Sequence, residues 1–415
     1  MLRINGDRLW GRLMEMAQIG ATIRGGVCRV ALTEEDRLGR DLFVKWCRQL
    51  DCQITVDKMG SIFARRRGLE PNAPAVLMGS HLDSQPTGGK FDGALGVLAG
   101  LEVIHTLHEA NVLTQAPLEL VSWTNEEGAR FSPAMIASGV FSGDFSLDYA
   151  YNQKDNKGIT LEQALEDIGY KGDAPVGNRD YKAAFELHIE QGPILEAEQI
   201  SVGIVTGVQG IRWYTLVLKG EETHAGPSPM RFRKDPMQLL SRLLPELYAL
   251  VEKKGQDAKI TIGHIDARPG VRNTVPGEVR ITIDIRHPEN DRLAELNKET
   301  YDLVSSLNGK FGVSASLEEV WHSVPVQFDE KCVGAVRDAT KSLDIPAMEI
   351  VSGAGHDSVY LSKVAPTAMI FIPCKDGLSH NELEHADKND IINGTNVLLQ
   401  SVLRTANEKE STTKQ

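Results

Sequence analysis

No apolar run in this chain approaches the ~18–20 residues that cross a bilayer as a helix, so a membrane-spanning role is not expected. Cysteine is scarce, with five residues (Cys28, Cys47, Cys52, Cys332, Cys374), an odd number without a CxxC pair. That argues against a disulfide framework and for a reducing compartment. Positive charge is not in excess either. The formal net charge is −12, so an electrostatic grip on nucleic acid or anionic lipid is not expected. An acidic balance still permits an acidic substrate, because a few arginines and metal ions reverse the local field. The segment MLRINGDRLW has no basic stretch followed by an apolar one, so no secretory signal is expected and the cytoplasm is the expected location. Internal repeats and low-complexity segments are absent as well.

What is present is ordinary for a globular protein: 41% hydrophobic and 25% charged residues over a length of 415. Two or three domains are expected at roughly 100–200 residues each. Residues 1–70 read as helical, with Thr33 and Asp36 forming a capping box before an amphipathic stretch through Leu50. From Ala75 short apolar strands alternate with helices: AVLMGS at 75–80, then GALGVLAGLEVIHTL, then LELVSW at 118–123. Such alternation predicts an open α/β sheet with functional residues at strand C-terminal ends. The middle differs. Tyr214–Gly220, Ala258–Asp266 and Glu278–His287 read as alternating strands, and 235–254 and 290–308 as helices. This predicts a small α+β domain at 211–328, inserted between α/β segments 1–210 and 329–415. The α/β pattern resumes with a helix near 329–343 and the strand PTAMIFIP at 366–373, and NEKESTTKQ closes the chain as a frayed polar tail.

Four segments carry possible metal ligands, each where a strand ends. His81 and Asp92 lie in GSHLDSQPTGGKFDG, Glu126 and Glu127 in SWTNEEGARF, His188 and Glu190 in AFELHIEQGP, and His380 in DGLSHNELEHA. Taken singly each has an ordinary alternative: a histidine after a strand is usually a hydrogen-bonded or surface residue, and an EE pair a solvated face. Together, beside glycine and proline, they make a ligand set of imidazoles and carboxylates suited to zinc, manganese, cobalt or nickel. One bridging carboxylate and four further ligands could hold two ions about 3.5–4 Å apart, activating a water and polarising a carbonyl. The adjacent carboxylates at 126 and 127 could then divide the work, one binding metal and the other moving the proton.

Eight ordered motifs carry a resemblance: GSHLDSQPTGGKFDGALGVLAG, WTNEEGARF, ELHIEQGP, ETHAGPSPM, RPGVRNTVPGEV, DIRHPEN, SGAGHDS and GLSHNELE. From about Leu9 to Leu403 the chain resembles the amidase/hydantoinase/carbamoylase family of the dinuclear metallo-aminopeptidase-like superfamily. That family includes N-carbamoyl-L-amino acid hydrolases, β-ureidopropionases and allantoate amidohydrolases. The resemblance implies a catalytic domain of metallo-aminopeptidase type with an inserted dimerisation or lid domain, and a homodimer. It implies His81, Asp92, Glu127, His188 and His380 as ligands of two divalent ions, with Asp92 bridging, and Glu126 as general base. Gln191 would touch substrate beside the metals, and His224 would stabilise the oxyanion from the partner subunit. Asn273 and Arg286 would hold the substrate carboxylate, and the backbone around Gly353 and Gly355 would line the pocket. His356 and Asp357 would support the cleft from behind.

Read without the resemblance, Arg286 is a strand residue pairing with a neighbouring acid, His224 a turn residue before Gly226–Pro227, and Asn273 a turn position after Gly270. Departures from the family pattern are small: Phe91 stands where tyrosine is common, and Ser132 where glycine is often seen. No ligand or base is replaced. The implied activity is hydrolysis of the carbamoyl C–N bond of N-carbamoyl-L-amino acids to the amino acid, ammonia and carbon dioxide. Allantoate or another ureido acid is the alternative substrate, and a dipeptidase or aminoacylase fits the motifs less well. Lid closure would hinge near 209–212 and 327–329.

Overall fold

A computed structural model describes residues 1–408. The polar tail expected at the C-terminus lies, from residue 409, outside the described residues. The chain divides into two units, residues 1–206 with 328 onward, and Gly207–Gln327.

The strands of the first unit are β1 (Gln53–Val56), β2 (Ile62–Arg66), β3 (Ala75–His81), β4 (Leu118–Trp123), β5 (Tyr181–Ile189) and, reaching into the boundary, β6 (Val202–Val208). In the second unit follow β7 (Gly210–Lys219), β8 (Thr223–His224), β9 (Lys259–Arg268), β10 (Thr274–Val275), β11 (Glu278–His287), β12 (Ser314–Ser323) and β13 (Val326–Gln327). Back in the first unit come β14 (Ala347–Ser352) and β15 (Thr367–Ile372). The main sheet has the order β1-β2-β4-β3-β5-β15-β6-β13, with β14 also on β6.

Within it β3 runs parallel to both β4 and β5, and β15 parallel to β5. These four strands are buried along their length, apart from one half-buried residue of β5. Their continuous apolar character suits strands covered on both faces. Parallel neighbours end at the same edge, so residues at their C-terminal ends are gathered there. The helix Ala94–Glu109 follows β3, buried over most of its surface. Its first turn begins at Gly93, with φ +65; a Cβ there would lie 2.3 Å from the His81 ring. Glycine meets both the left-handed backbone and the close approach.

The expectation of helix throughout residues 1–70 is corrected. Helices cover Gly6–Met16 and Glu34–Arg48, but β1 and β2 form an antiparallel hairpin after them. Ile54, Val56, Ile62 and Phe63 suit a sheet edge, and Asp57 closes the turn by accepting the Ser61 N–H at 2.9 Å. Thr33 caps the second helix as expected, while Asp36 reaches back to the Leu32 N–H at 2.8 Å.

The second unit is a four-stranded antiparallel sheet, β12-β7-β11-β9, with helices Pro236–Glu252 and Asn290–Leu307 sharing its core. β12 is a strand beyond the three expected in the middle segment. Along β11, Val279, Ile281, Ile283 and Ile285 are buried, so Asp284 and Arg286 share the opposite face. Among the described residues no helix is long and apolar enough to cross a membrane.

Candidate dinuclear metal site

The parallel edge of the first unit brings together seven of the residues singled out in the sequence. His81 is the last residue of β3 and His188 the last but one of β5. Glu126 and Glu127 follow β4, and His380 follows β15. Asp92 comes from the loop before helix Ala94–Glu109, and Gln191 from the turn after β5.

Asp92 stands at the centre with its two oxygens facing different partners. Oδ1 is 3.6 Å from His81 Nε2 and 3.3 Å from His188 Nε2. Oδ2 is 3.7 Å from His380 Nε2, and that imidazole lies 3.1 Å from Glu127 Oε2. Two groups of three ligand atoms, His81–Asp92–His188 and Asp92–Glu127–His380, therefore share one carboxylate, each group within 4.8 Å. Shared in this way, a carboxylate can bridge two ions.

Imidazole tautomers fit the same role. His81 Nδ1 lies 2.9 Å from the Asp83 carbonyl, and His188 Nδ1 lies 3.0 Å from the Ile189 carbonyl. A carbonyl can only accept, so each Nδ1 carries the hydrogen and each Nε2 turns its lone pair toward Asp92. The His188 Nε2 lone pair also receives the Gly93 N–H at 3.2 Å. The donor set and its orientation suit divalent ions.

A third group, Glu186–His188–His356, is also close. Its members are committed elsewhere: Glu186 accepts the Ser80 and Ser358 hydroxyls at 2.7 and 2.6 Å, and His356 Nε2 meets the Ser352 hydroxyl at 3.0 Å. Asp357, fully buried, accepts the Ser138 hydroxyl.

Glu126 is placed differently from Glu127. It belongs to neither group around Asp92, and its Oε2 lies 3.4 Å from His81 Nε2. Burial pushes its carboxyl well above the ordinary value, against the pull of His81 and with Asp357, Glu127 and Asp83 adding repulsion.

Loop geometry holds the EE pair. Asn125 sits in the left-handed region at φ +54, and its side chain exchanges hydrogen bonds with both the N–H and the carbonyl of Phe131. Asp83 accepts the N–H groups of Glu126 and Glu127, each at 3.2 Å. Trp123, the last residue of β4, packs edge-on against Phe63 and Phe141. Gln191 donates to Asp92 Oδ2 at 2.8 Å, while its own Oε1 is buried without a hydrogen-bond partner. Gly355 lies against Met135, whose N–H donates to the Glu126 carbonyl at 2.6 Å; Gly353 is in the same turn after β14.

His224, Asn273 and Arg286 belong to the second unit. His224 pairs with Thr274 across β8 and β10, and the Asn273 carbonyl accepts the Ala225 N–H. His224 Nδ1 accepts the Gly226 N–H at 3.1 Å, so its hydrogen is on Nε2. These two residues lie beyond the Glu278 end of β11. Arg286 is near the opposite end, about 27 Å along the strand at roughly 3.4 Å per residue. Its Nε and Nη2 bind Asp284 at 3.0 and 2.8 Å, the neighbouring-acid pairing open to it as a strand residue.

Asp83, Ser379 and Glu384 join the site although no motif singles them out. Ser379 donates to Asp92 Oδ2, and Glu384 accepts the Phe91 and Asp92 N–H groups. Each lies within four residues of a proposed ligand, and that proximity was the available signal.

An open sheet with imidazole and carboxylate donors at its parallel edge is the arrangement on which hydrolytic enzymes with paired metal sites are built. The chain matches the Peptidase family M20/M25/M40 over residues 77–404 and belongs to it. It is 46% identical to an N-carbamoyl-L-amino-acid amidohydrolase of Rhizobium meliloti, covering 97% of each chain. It is 34% identical to an allantoate amidohydrolase of Bacillus subtilis, over 94% of this chain and 95% of that one. Among solved structures, an amidase of the hydantoinase/carbamoylase family from Burkholderia multivorans superposes with a TM-score of 0.96 at 49% identity, covering 98% and 99% of the two chains.

Proposed function

We propose that this chain hydrolyses the carbamoyl C–N bond of N-carbamoyl-L-amino acids, releasing the amino acid, ammonia and carbon dioxide. The observation that carries the reading is the division between neighbours: Glu127 joins the ligand group of Asp92 and His380, while Glu126 stays outside it, 3.4 Å from His81 Nε2. The substrate class follows the similarity to the amidohydrolases named above.

His81, Asp92 and His188 would hold one divalent ion, and Asp92, Glu127 and His380 a second. When bound, such ions activate water and polarise the carbonyl; manganese, cobalt, nickel and zinc all suit these donors. Glu126 takes the proton of the attacking water on its carboxylate and returns it to the departing nitrogen. Gln191 Oε1, buried and without a donor, accepts from the carbamoyl N–H. His224 offers Nε2–H to the developing oxyanion. Arg286, its plane set by Asp284, and Asn273 bind the carboxylate end, and Gly353 and Gly355 line the pocket.

One small carboxylate cannot reach both ends of β11, so a homodimer in which two copies contribute to each site is part of the reading. The exposed pair Trp213 and Trp321, rings 4.7 Å apart beside exposed Val320, gives the second unit an apolar surface consistent with self-association. The second unit would act as the dimerisation and lid domain, hinging near residues 209–212 and 327–329. Scattering profiles unchanged by a tight substrate analogue would count against closure. The five free cysteines fit a cytoplasmic setting.

The test is to strip the protein with a chelator, restore manganese, cobalt, nickel or zinc, and measure ammonia release. The panel holds N-carbamoyl-L-amino acids, their D forms, N-carbamoyl-β-alanine, allantoate, N-acyl amino acids and dipeptides. Metal-dependent turnover of the N-carbamoyl-L-amino acids supports the proposal. Turnover of allantoate alone keeps the mechanism and replaces the substrate, and turnover of dipeptides alone replaces the branch of the family.

A further inference from the structure

The loop that delivers Asp92 is clamped from outside the ligand set. Glu384 is 5% exposed, and its Oε1 accepts the N–H groups of Phe91 and Asp92 at 2.8 and 3.1 Å. Its other oxygen, Oε2, is buried with no hydrogen-bond partner. A buried carboxylate oxygen left without a donor is costly and asks for a reason. The backbone opposite is shaped for it: a Cβ on Gly89 would lie 2.0–2.4 Å from the Glu384 carboxylate atoms. Only glycine leaves that space, whatever the backbone angles at position 89. The contact is reinforced one residue on, where the His385 ring meets the Phe91 ring edge-on at 6.2 Å. Glu384 is also tied to a ligand on its own segment, because His380 lies one turn before it and the Glu384 N–H donates to the Asn381 carbonyl.

We propose that Glu384 is a positioning residue: seated in the space left by Gly89, it fixes the backbone of Asp92 so that the two carboxylate oxygens face the two ligand groups. One short segment then supplies both a ligand, His380, and the clamp on the bridging ligand. This rests on the reading of Asp92 as the bridge between two ions.

The experiment is titration of the metal-stripped full-length protein with manganese and with cobalt, recording stoichiometry, affinity and the visible spectrum of the cobalt form. Apo-protein melting temperatures are measured alongside. Glu384→Ala and Gly89→Ala should each weaken metal binding by about 10–100-fold, the usual range for a group that orients a ligand, and shift the cobalt spectrum. Glu384→Gln keeps an acceptor oxygen and should stay within about 3-fold of wild type, since the carbonyl of an amide accepts the same N–H groups. The double variant Gly89→Ala/Glu384→Ala should bind within about 2-fold of Glu384→Ala alone, because one contact cannot be lost twice. Should Glu384→Ala not fold, Glu384→Asp, too short to reach, and Gly89→Ala carry the same expectation.

Wild type holding two ions, with Glu384→Ala (or Glu384→Asp) binding them at unchanged affinity and lowering only the apo melting temperature, overturns the positioning role and leaves the metal reading standing. Losses that multiply in the double variant overturn it as well. Wild type that binds neither ion overturns the metal reading itself.

Discussion

Replacing Glu126 by Gln separates proton transfer from metal binding. The amide has the shape of the acid, so the Glu126 N–H bond to Asp83 and the Met135 N–H bond to the residue 126 carbonyl both survive. Glu126 stands outside both ligand groups, and its nearest imidazole, His81, is oriented by the Asp83 carbonyl rather than by Glu126. Metal content and melting temperature should therefore match wild type. What is lost is a carboxyl able to take and return a proton, a contribution of about 10²–10⁴ in rate. At 1.36 kcal/mol per decade that is roughly 3–5 kcal/mol of transition-state stabilisation. The assay is ammonia release from an N-carbamoyl-L-amino acid at saturating substrate, with metal analysis on the same preparation. If Glu126→Gln loses an ion together with its turnover, the roles of the two adjacent glutamates have been assigned the wrong way round. If it keeps both, Glu126 is not the base.

Three other outcomes are expected. Asp83→Ala should lower stability by about 2–6 kcal/mol, since it strands the N–H groups of Glu126 and Glu127 at about 1–3 kcal/mol each; an unchanged denaturation midpoint would refute the link. Burial raises the Asp57 carboxyl to about 7, against about 3.9 in an unfolded chain, so its stabilising contribution is complete below pH 4 and lost as pH rises through 7. Asp57→Asn should remove that fall, worth at most about 4 kcal/mol, and parallel melting curves for variant and wild type from pH 5 to 8 would contradict it. In sedimentation the protein should run as a dimer; a 45.5 kDa species at working concentration would remove the shared-site argument.

Much of the candidate site was legible in the sequence because metal chemistry admits few residue types. His81, Asp92, Glu127, His188 and His380 stand at or after strand ends, and parallel strands bring such ends to one edge. The α/β alternation from Ala75 and the antiparallel middle were likewise visible in the period of their apolar residues. Local pattern misled where strands were short: Gln53–Val56 and Ile62–Arg66 are too brief for a clear period, and only pairing makes them strands. Supporting residues were harder still. The N–H groups accepted by Glu384 lie 292 and 293 positions away, and those accepted by Asp83 lie 43 and 44 away.

The sequence by itself determined which imidazoles and carboxylates are available to bind metal and move protons, because that chemistry resides in the side chains themselves. Tertiary structure decided how these groups sit relative to one another. It turned the two oxygens of Asp92 toward different imidazoles, grouped Glu127 with Asp92 and His380 while leaving Glu126 outside both groups, and put Arg286 at the far end of β11 from Asn273. Those assignments depend on angles and distances between segments far apart in the chain, which burial of the sheet imposes and spacing along the chain does not encode.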